Sequence, residues 1–233
     1  MQFDLSCTPV IRQESYLEYE FVADMGGGAK ILFNDPTLSY NHLVALEISD
    51  KLLRFQLLGA GPTKTIPGED FLIYPSVMPQ VDLAYELYPG RLKEVLVLNS
   101  PSAKHEFTFA LETDGVTAYL QDDNAIVYKD DGGNEVFTID APYATDANKA
   151  AVKTSLKFDG ATYTLSAIPD SSTVYPIKLD PTASFSTYMW SLDNTAKSTT
   201  ANPVRIGLRT PDGAKLVKKV TVTNSTFAPQ KQL

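Results

Sequence analysis

The clearest alternation of apolar and polar positions lies in residues 71–98, FLIYPSVMPQVDLAYELYPGRLKEVLVL. From Val81 onward, Val81, Leu83, Tyr85 and Leu87 alternate with Asp82, Ala84, Glu86 and Tyr88. A period of two puts the first set on one face of a strand and the second on the other. Pro89-Gly90 supplies a turn, Pro fixing φ and Gly accepting a positive φ. Residues 92–98 then run back, with Val95 to Leu98 continuously apolar, as in a strand covered on both faces. Upstream, residues 71–74 predict a strand that stops at Pro75, since the prolines at 75 and 79 exclude a central strand between them.

The same reading extends over the chain. Residues 1–25 predict a pair of short strands. Within them residues 15–22 (SYLEYEFV) alternate Tyr16, Glu18, Glu20 and Val22 against Leu17, Tyr19 and Phe21, an amphipathic strand with its acidic face in solvent. Met25-Gly26-Gly27-Gly28-Ala29-Lys30 lacks the GxxxxGK[ST] spacing, and Ile31-Leu32-Phe33 follows where a helix should open. It is a turn or bulge, not a phosphate loop. Residues 34–42 read as loop. Residues 43–58 suit a helix or two strands, and Asp50-Lys51, where a tight turn would fall, favours the hairpin. Residues 59–70, rich in Gly and Pro, form a connection.

Further strands are expected at 105–111, 116–120, 125–128, 136–139, 155–158, 163–167 and 174–179. They are separated by Asp114-Gly115, Gln121-Asp122-Asp123-Asn124, Asp130-Asp131-Gly132-Gly133-Asn134 and Asp159-Gly160. Only residues 146–154 (DANKAAVKT) could hold a short helical turn. Beyond Asp180-Pro181 the chain is rich in Ser, Thr and Asn around Trp190, and residues 204–208 and 216–223 form a hairpin about Pro211-Asp212-Gly213.

Short strands with regularly spaced turn signals define an all-β fold, an antiparallel β-sandwich of jelly-roll-like or Greek-key type with little helix. The expected divisions are an N-terminal β elaboration (1–70), a main sandwich (71–182) and a C-terminal hairpin with a polar tail (183–233).

Composition narrows the function classes. The chain has 233 residues, 43% hydrophobic and 21% charged, with 12 Tyr and 11 Phe, so it can bury a core. A net charge of -8 opposes a nucleic-acid partner, which needs a dense Lys/Arg patch. No stretch approaches the roughly twenty apolar residues of a membrane span, and residues 1–21 lack a signal-peptide pattern. The expectation is a protein made without this export route, as a virion component would be, or a piece of a longer extracellular or cell-surface product.

Candidate chemistry is sparse. Cys7 stands alone, and His42 and His105 are the only histidines, so no disulfide framework and no zinc set are expected. No GxSxG elbow is present. The acidic turns at residues 122–124 and 130–135 lack the DxDxDG spacing of a calcium loop, and Asp and Asn are what tight turns select for backbone reasons. Paired carboxylates for glycoside hydrolysis depend on separation in space, which spacing along the chain does not give. No catalytic, cofactor-binding or metal residue is therefore assigned. The interaction candidates are the aromatic residues Tyr85, Tyr88, Tyr188 and Trp190, which could stack on sugars or join an interface.

The series VDLAYELYPGRLKEVLVL, FTFALETDGV, VFTIDAPYATDA and YPIKLDPT resembles a β-rich region of large bacterial surface and secreted proteins that precedes DNRLRE-type domains and Rhs/YD-repeat segments. The corresponding residues are Asp82 and Tyr85, a Lys93-Glu94 turn, Phe107 and Phe109, Ala141-Pro142 with Asp146, and Pro176 to Pro181. The resemblance covers residues 71–182 and implies a non-catalytic β module that displays or spaces other domains. The expected function is a non-enzymatic structural protein of a phage capsid, tail or fibre, or a surface-display module. Its partners would be other structural subunits in a homo-oligomer or larger assembly. The alternative is a carbohydrate- or surface-binding module of a longer secreted protein.

Overall fold

The computed structural model describes residues 9–16, 19–26, 28–34, 43–185, 189–192, 204–209 and 216–222. Among these there is no helix, and all pairings are antiparallel, as the period-two patterning requires. The chain forms two compact units, Met1–Phe185 and Ser186–Leu233.

In the first unit the strands are β1 (Ile11–Tyr16), β2 (Tyr19–Gly26), β3 (Ala29–Phe33), β4 (Val44–Ile48), β5 (Lys51–Leu57) and β6 (Ile66–Pro67). They continue with β7 (Phe71–Met78), β8 (Val81–Tyr88), β9 (Arg91–Leu98), β10 (Glu106–Asp114), β11 (Thr117–Leu120) and β12 (Ile126–Lys129). The last are β13 (Glu135–Ile139), β14 (Tyr143–Thr145), β15 (Ala151–Phe158), β16 (Thr162–Ile168), β17 (Ile177–Asp180) and β18 (Thr182–Phe185).

One sheet is the meander β1 to β5, extended by β10, β16 and β15. The other is the meander β6 to β9, with β9 flanked on its far side by both β17 and β18. From there β17 leads to β14, while β18 leads to β13, β12 and β11. A pairing of β14 with β15 joins the two sheets.

Inward residues of both sheets share one core. Phe33 of the first sheet meets Tyr85 of the second with ring centroids 5.5 Å apart, and Tyr74 stands edge-on to Tyr85 at 6.0 Å. Phe109 and Tyr163, opposite each other on β10 and β16, stack at 4.7 Å. This is the sandwich expected from the alternation: two pleated layers burying one face each.

Several local expectations change. Residues 15–22 are not one strand, because the chain reverses between β1 and β2, with Tyr16 opposite Tyr19. The alternation runs unbroken through that tight reversal and so does not mark it. β7 passes through Pro75 with a shift of register between Tyr74 and Met78. Its other neighbour, β6, pairs only with Leu72 and Ile73, and beyond them Thr63 and Gly61 donate to the carbonyls of Pro75 and Val77, so the missing N–H of Pro75 forfeits no ladder bond.

Residues 146–154 hold no helix. Asp146 Oδ1 accepts the N–H groups of Asn148 (2.8 Å) and Ala150 (2.9 Å), Lys149 takes a φ of 63°, and β15 begins at Ala151. The local carboxylate outcompetes the helix that the alanines favour. Lys93-Glu94 is not a turn but the middle of β9, the turn being at Pro89-Gly90.

No boundary falls at residue 70. β5 pairs with β10, Ile11 N–H donates to the Glu69 carbonyl and the Tyr74 hydroxyl to that of Asn34, so the early strands complete the same core. In the second unit β19 (Met189–Leu192), β20 (Val204–Arg209) and β21 (Leu216–Val222) form a three-stranded antiparallel sheet. The expected hairpin is there as β20 and β21, its turn lying outside the described residues. β19 was not expected from its Ser-rich surroundings.

Candidate functional site: a tyrosine-flanked charge cluster on the second sheet

The register of β8 on β9 sorts their side chains by face. Leu83 opposes Leu96, Tyr85 opposes Glu94 and Leu87 opposes Leu92 on the core side. Ala84 with Val95, Glu86 with Lys93 and Tyr88 with Arg91 form the outer rows. The same register carries Phe71 and Ile73 of β7 and Ile66 of β6 to the outer face.

Two half-exposed tyrosines bracket a charge cluster there. Tyr88 Oη donates to Glu86 Oε2 (2.9 Å), and Lys93 Nζ lies 3.8 Å from that oxygen. Lys93 Nζ is also 3.3 Å from Asp180 Oδ2, which accepts from Tyr143 Oη at 2.6 Å. Thr182 Oγ1 donates to Asp180 Oδ1 (2.9 Å). Asp180 is 2% exposed, whereas Tyr88 and Tyr143 are 47% and 52% exposed. The fold positions these groups because Asp180 ends β17 just before Pro181, opposite Tyr143 on β14 and beside β9.

The electrostatics follow from the geometry. Burial works against the Lys93 ammonium, but the charge and hydrogen bond of Asp180 outweigh it and hold its pKa above the usual value. The hydrogen bond to Asp180 raises the Tyr143 phenol, and that to Glu86 raises Tyr88. Both phenols stay neutral donors, and the rings are pinned with about half their surface in solvent.

On the inner face of β9 the situation is reversed. Glu94 is 4% exposed, and its Oε1 has no hydrogen-bond partner; the buried hydroxyls of Tyr85 and Tyr128 have none either. Burial pushes the Glu94 carboxyl up to about 8. Tyr85 lies near enough to oppose that shift yet falls short of hydrogen-bond geometry, and the charge of Asp180 adds to it.

Of the four aromatic candidates, Tyr88 belongs to this cluster. Tyr85 does not: it is fully buried against Phe33 and Tyr74, because its phase on β8 is that of Leu83 and Leu87. Trp190 lies in β19 opposite Leu208, its side chain outside the described residues, as is all of Tyr188. Cys7 and His42 also lie outside them. His105 Nε2 is 2.6 Å from the Tyr175 hydroxyl, tying the start of β10 to the segment before β17.

The acidic turns close on themselves, Asp130 Oδ1 accepting from Asn134 N–H (2.9 Å) and Asp123 Oδ1 from Ala125 N–H (3.0 Å). No group of three or more His, Cys, Asp or Glu among the described residues is arranged to hold a metal ion. A cleft of about 290 Å³ beside Val152 and Ile168 contains Asp146 and Asp170, whose carboxylates are already engaged by backbone N–H groups.

Sequence reading missed Glu86, Lys93, Tyr143, Asp180 and Glu94. For Glu94 the signal was present, since it shares the phase of Leu92, Leu96 and Leu98. Tyr143 follows Ala141-Pro142 with no alternation around it and carried none.

No family model matches the chain, and no solved structure does. The chain is similar to the tRNA(Glu)-specific nuclease WapA of Bacillus subtilis subsp. natto, 29% identical over 192 residues. These are 75% of this chain and 8% of that protein. It is similar to the tRNA nuclease WapA of Bacillus subtilis, 31% identical over 131 residues, 49% of this chain and 6% of the other. It is also 28% identical over 138 residues to a wall-associated protein of Geobacillus stearothermophilus, covering 58% of this chain and 52% of that one. The chain thus spans less than a tenth of the Bacillus relatives and about half of the Geobacillus one.

These findings correct the expectation of a non-enzymatic protein, since two of these relatives are named tRNA nucleases. They give no support to a virion setting. The chain is similar to wall-associated bacterial proteins, and a cell-surface or extracellular setting is the one they point to.

Proposed function

We propose that this chain is a β-sandwich module of a bacterial surface or secreted protein of the wall-associated, tRNA-nuclease kind. The outer face of its second sheet would be its contact surface. The observation that carries this reading is one of scale: 75% of the chain corresponds to 8% of a relative, the proportion of one module within a long protein. The order of residues from Asp82 to Asp180, which resembles the region preceding DNRLRE-type and Rhs/YD-repeat segments, supports the same placement. Cleavage of tRNA is carried over only as an activity of the kind of protein to which such a module belongs.

The contact role rests on residue type and place. Phe71, Tyr88 and Tyr143 are exposed on one face together with Arg91, and aromatic residues and Arg dominate the energetic centres of interfaces. The partner is a polypeptide surface of the same assembly. A second reading, docking on a wall glycan, is favoured by the two tyrosine rings pinned beside carboxylate acceptors.

Fractionating producing cells and detecting the chain with an antibody tests the setting. It is expected in the wall fraction or the medium, and recovery only from cytosol or phage particles would refute it. Retention on isolated walls by the chain with Tyr88→Ser and Tyr143→Ser tests the surface. A loss of about tenfold is expected while the variant remains folded at the assay temperature. Equal retention would remove this face from the account, and removal of wall polysaccharide separates the two readings.

A further inference from the structure

We propose that Glu94 is a proton-operated latch: the sandwich closes on its protonated carboxyl, and loss of that proton in alkaline surroundings loosens the second sheet around β9. This does not depend on the contact surface argued above. Its basis is an acidic side chain in the dry interior, 4% exposed, at a strand position whose phase is otherwise filled by Leu92, Leu96 and Leu98. A carboxylate buried without a cation or hydrogen bonds is costly, and such a group takes up a proton instead.

No cation among the described groups enters the balance at Glu94 to compensate a negative charge. Tyr85 faces it from β8, Tyr163 from β16 and Asp180 from the end of β17. Tyr74 on β7 stands behind Tyr85, and Tyr128 on β12 beside Tyr163. The Asp180 carboxylate makes the ionised state worse, and Tyr85 opposes the upward shift without reversing it. Lys93, the next residue, points to the other face, where Asp180 and Glu86 hold it.

Backbone geometry shows where the fold would give. On the far side of β9, β18 pairs with Arg91, Leu92 and Lys93, and β17 with Leu96, Val97 and Leu98. Glu94 and Val95 fall between the two ladders, at the handover from one neighbour to the other. An ionised carboxylate there sits at the point of the strand that neither the β17 nor the β18 ladder holds.

The sign follows from linkage. The folded group binds its proton up to about 8 and the unfolded one only to 4.5, so the folded chain holds more protons between those values. Stability therefore falls as pH rises through that window and is level beyond it. The folded-to-unfolded ratio should drop on the order of a thousandfold, roughly tenfold per unit of separation.

The experiment follows the Glu side-chain carboxyls of the full chain by ¹³C NMR from pH 3 to 10, with urea unfolding of the natural chain and Glu94→Gln at pH 5 and 8.5. One carboxyl titrating far above the rest, assigned by its loss in the variant, is expected. The natural chain should lose on the order of a thousandfold more in its folding constant between those pH values than the variant, with amide protection on β9, β17 and β18 falling first. Glu94 titrating with the exposed glutamates, or equal pH dependence in the two chains, would overturn the proposal. If Glu94→Gln fails to fold, the titration of the natural chain, assigned through its neighbours on β9, decides alone.

Discussion

Lys93 and Glu94 are neighbours on β9, of opposite charge, and in sequence they look like one exposed ion pair. The pleat sends them to opposite faces. Lys93 meets Asp180 and Glu86 at the surface of the second sheet, where each carboxylate also accepts from a tyrosine hydroxyl. Glu94 enters the core opposite Tyr85, where its Oε1 finds no hydrogen-bond partner. The outer face spends its charge on a preorganised, half-exposed cluster; the inner face keeps an acid that the interior can hold only as a neutral group. Charge in this sandwich thus stabilises or destabilises according to the phase of the strand that carries it.

The largest effect should come from the inner member. Between pH 4.5 and 8 the natural chain should lose about 4 kcal/mol of stability through Glu94, a loss absent from Glu94→Gln, as read by urea unfolding at several pH values. Next comes the outer member: Asp180→Ala leaves Lys93 with Glu86 alone and removes the acceptor of the Tyr143 and Thr182 hydroxyls. It should cost about 3 kcal/mol, measured at pH 7.

Tyr143→Phe removes a single donor to Asp180 and should cost about 1 kcal/mol, with the ring still in place. Smallest is Tyr85→Phe, which deletes a buried hydroxyl that has no partner. It should be neutral or stabilising by less than about 1 kcal/mol, and a clear destabilisation would mean that the hydroxyl is satisfied in solution.

Much of the fold was legible because period-two alternation reports directly on which side of a strand is buried. Residues 81–88 come straight from it, while the hairpin at 43–58 and the turns at Asp114-Gly115 and Asp159-Gly160 came from turn residues. What failed was non-local. Pro75 is tolerated because the β6 ladder stops short of it and the β8 register shifts there, so no ladder needs its N–H, which no window around Pro75 reveals. The boundary at 70 failed because β5 pairs with β10, more than fifty residues downstream. The helical turn at 146–154 failed through one side chain, Asp146, which also reaches Val174 N–H (3.1 Å).

The candidate site was legible only at Tyr88. Tyr85 was drawn into it by residue type although its own phase places it in the core. Tyr143 and Asp180 reach β9 only through the pairing of β17 with β9 and β14. The Lys93-Glu94 turn came with the resemblance, while the pattern of residues 92–98 already argued for the strand that is found.

One titration of the full chain, with the Lys ammonium and Glu carboxyl groups followed in the same sample, tests the comparison most directly. Glu94 should titrate near 8 while Lys93 stays charged to above the ordinary lysine value. Glu94 titrating near 4.5, with Lys93 at or below an ordinary lysine, would show that the two faces of β9 do not treat charge differently and would contradict the account.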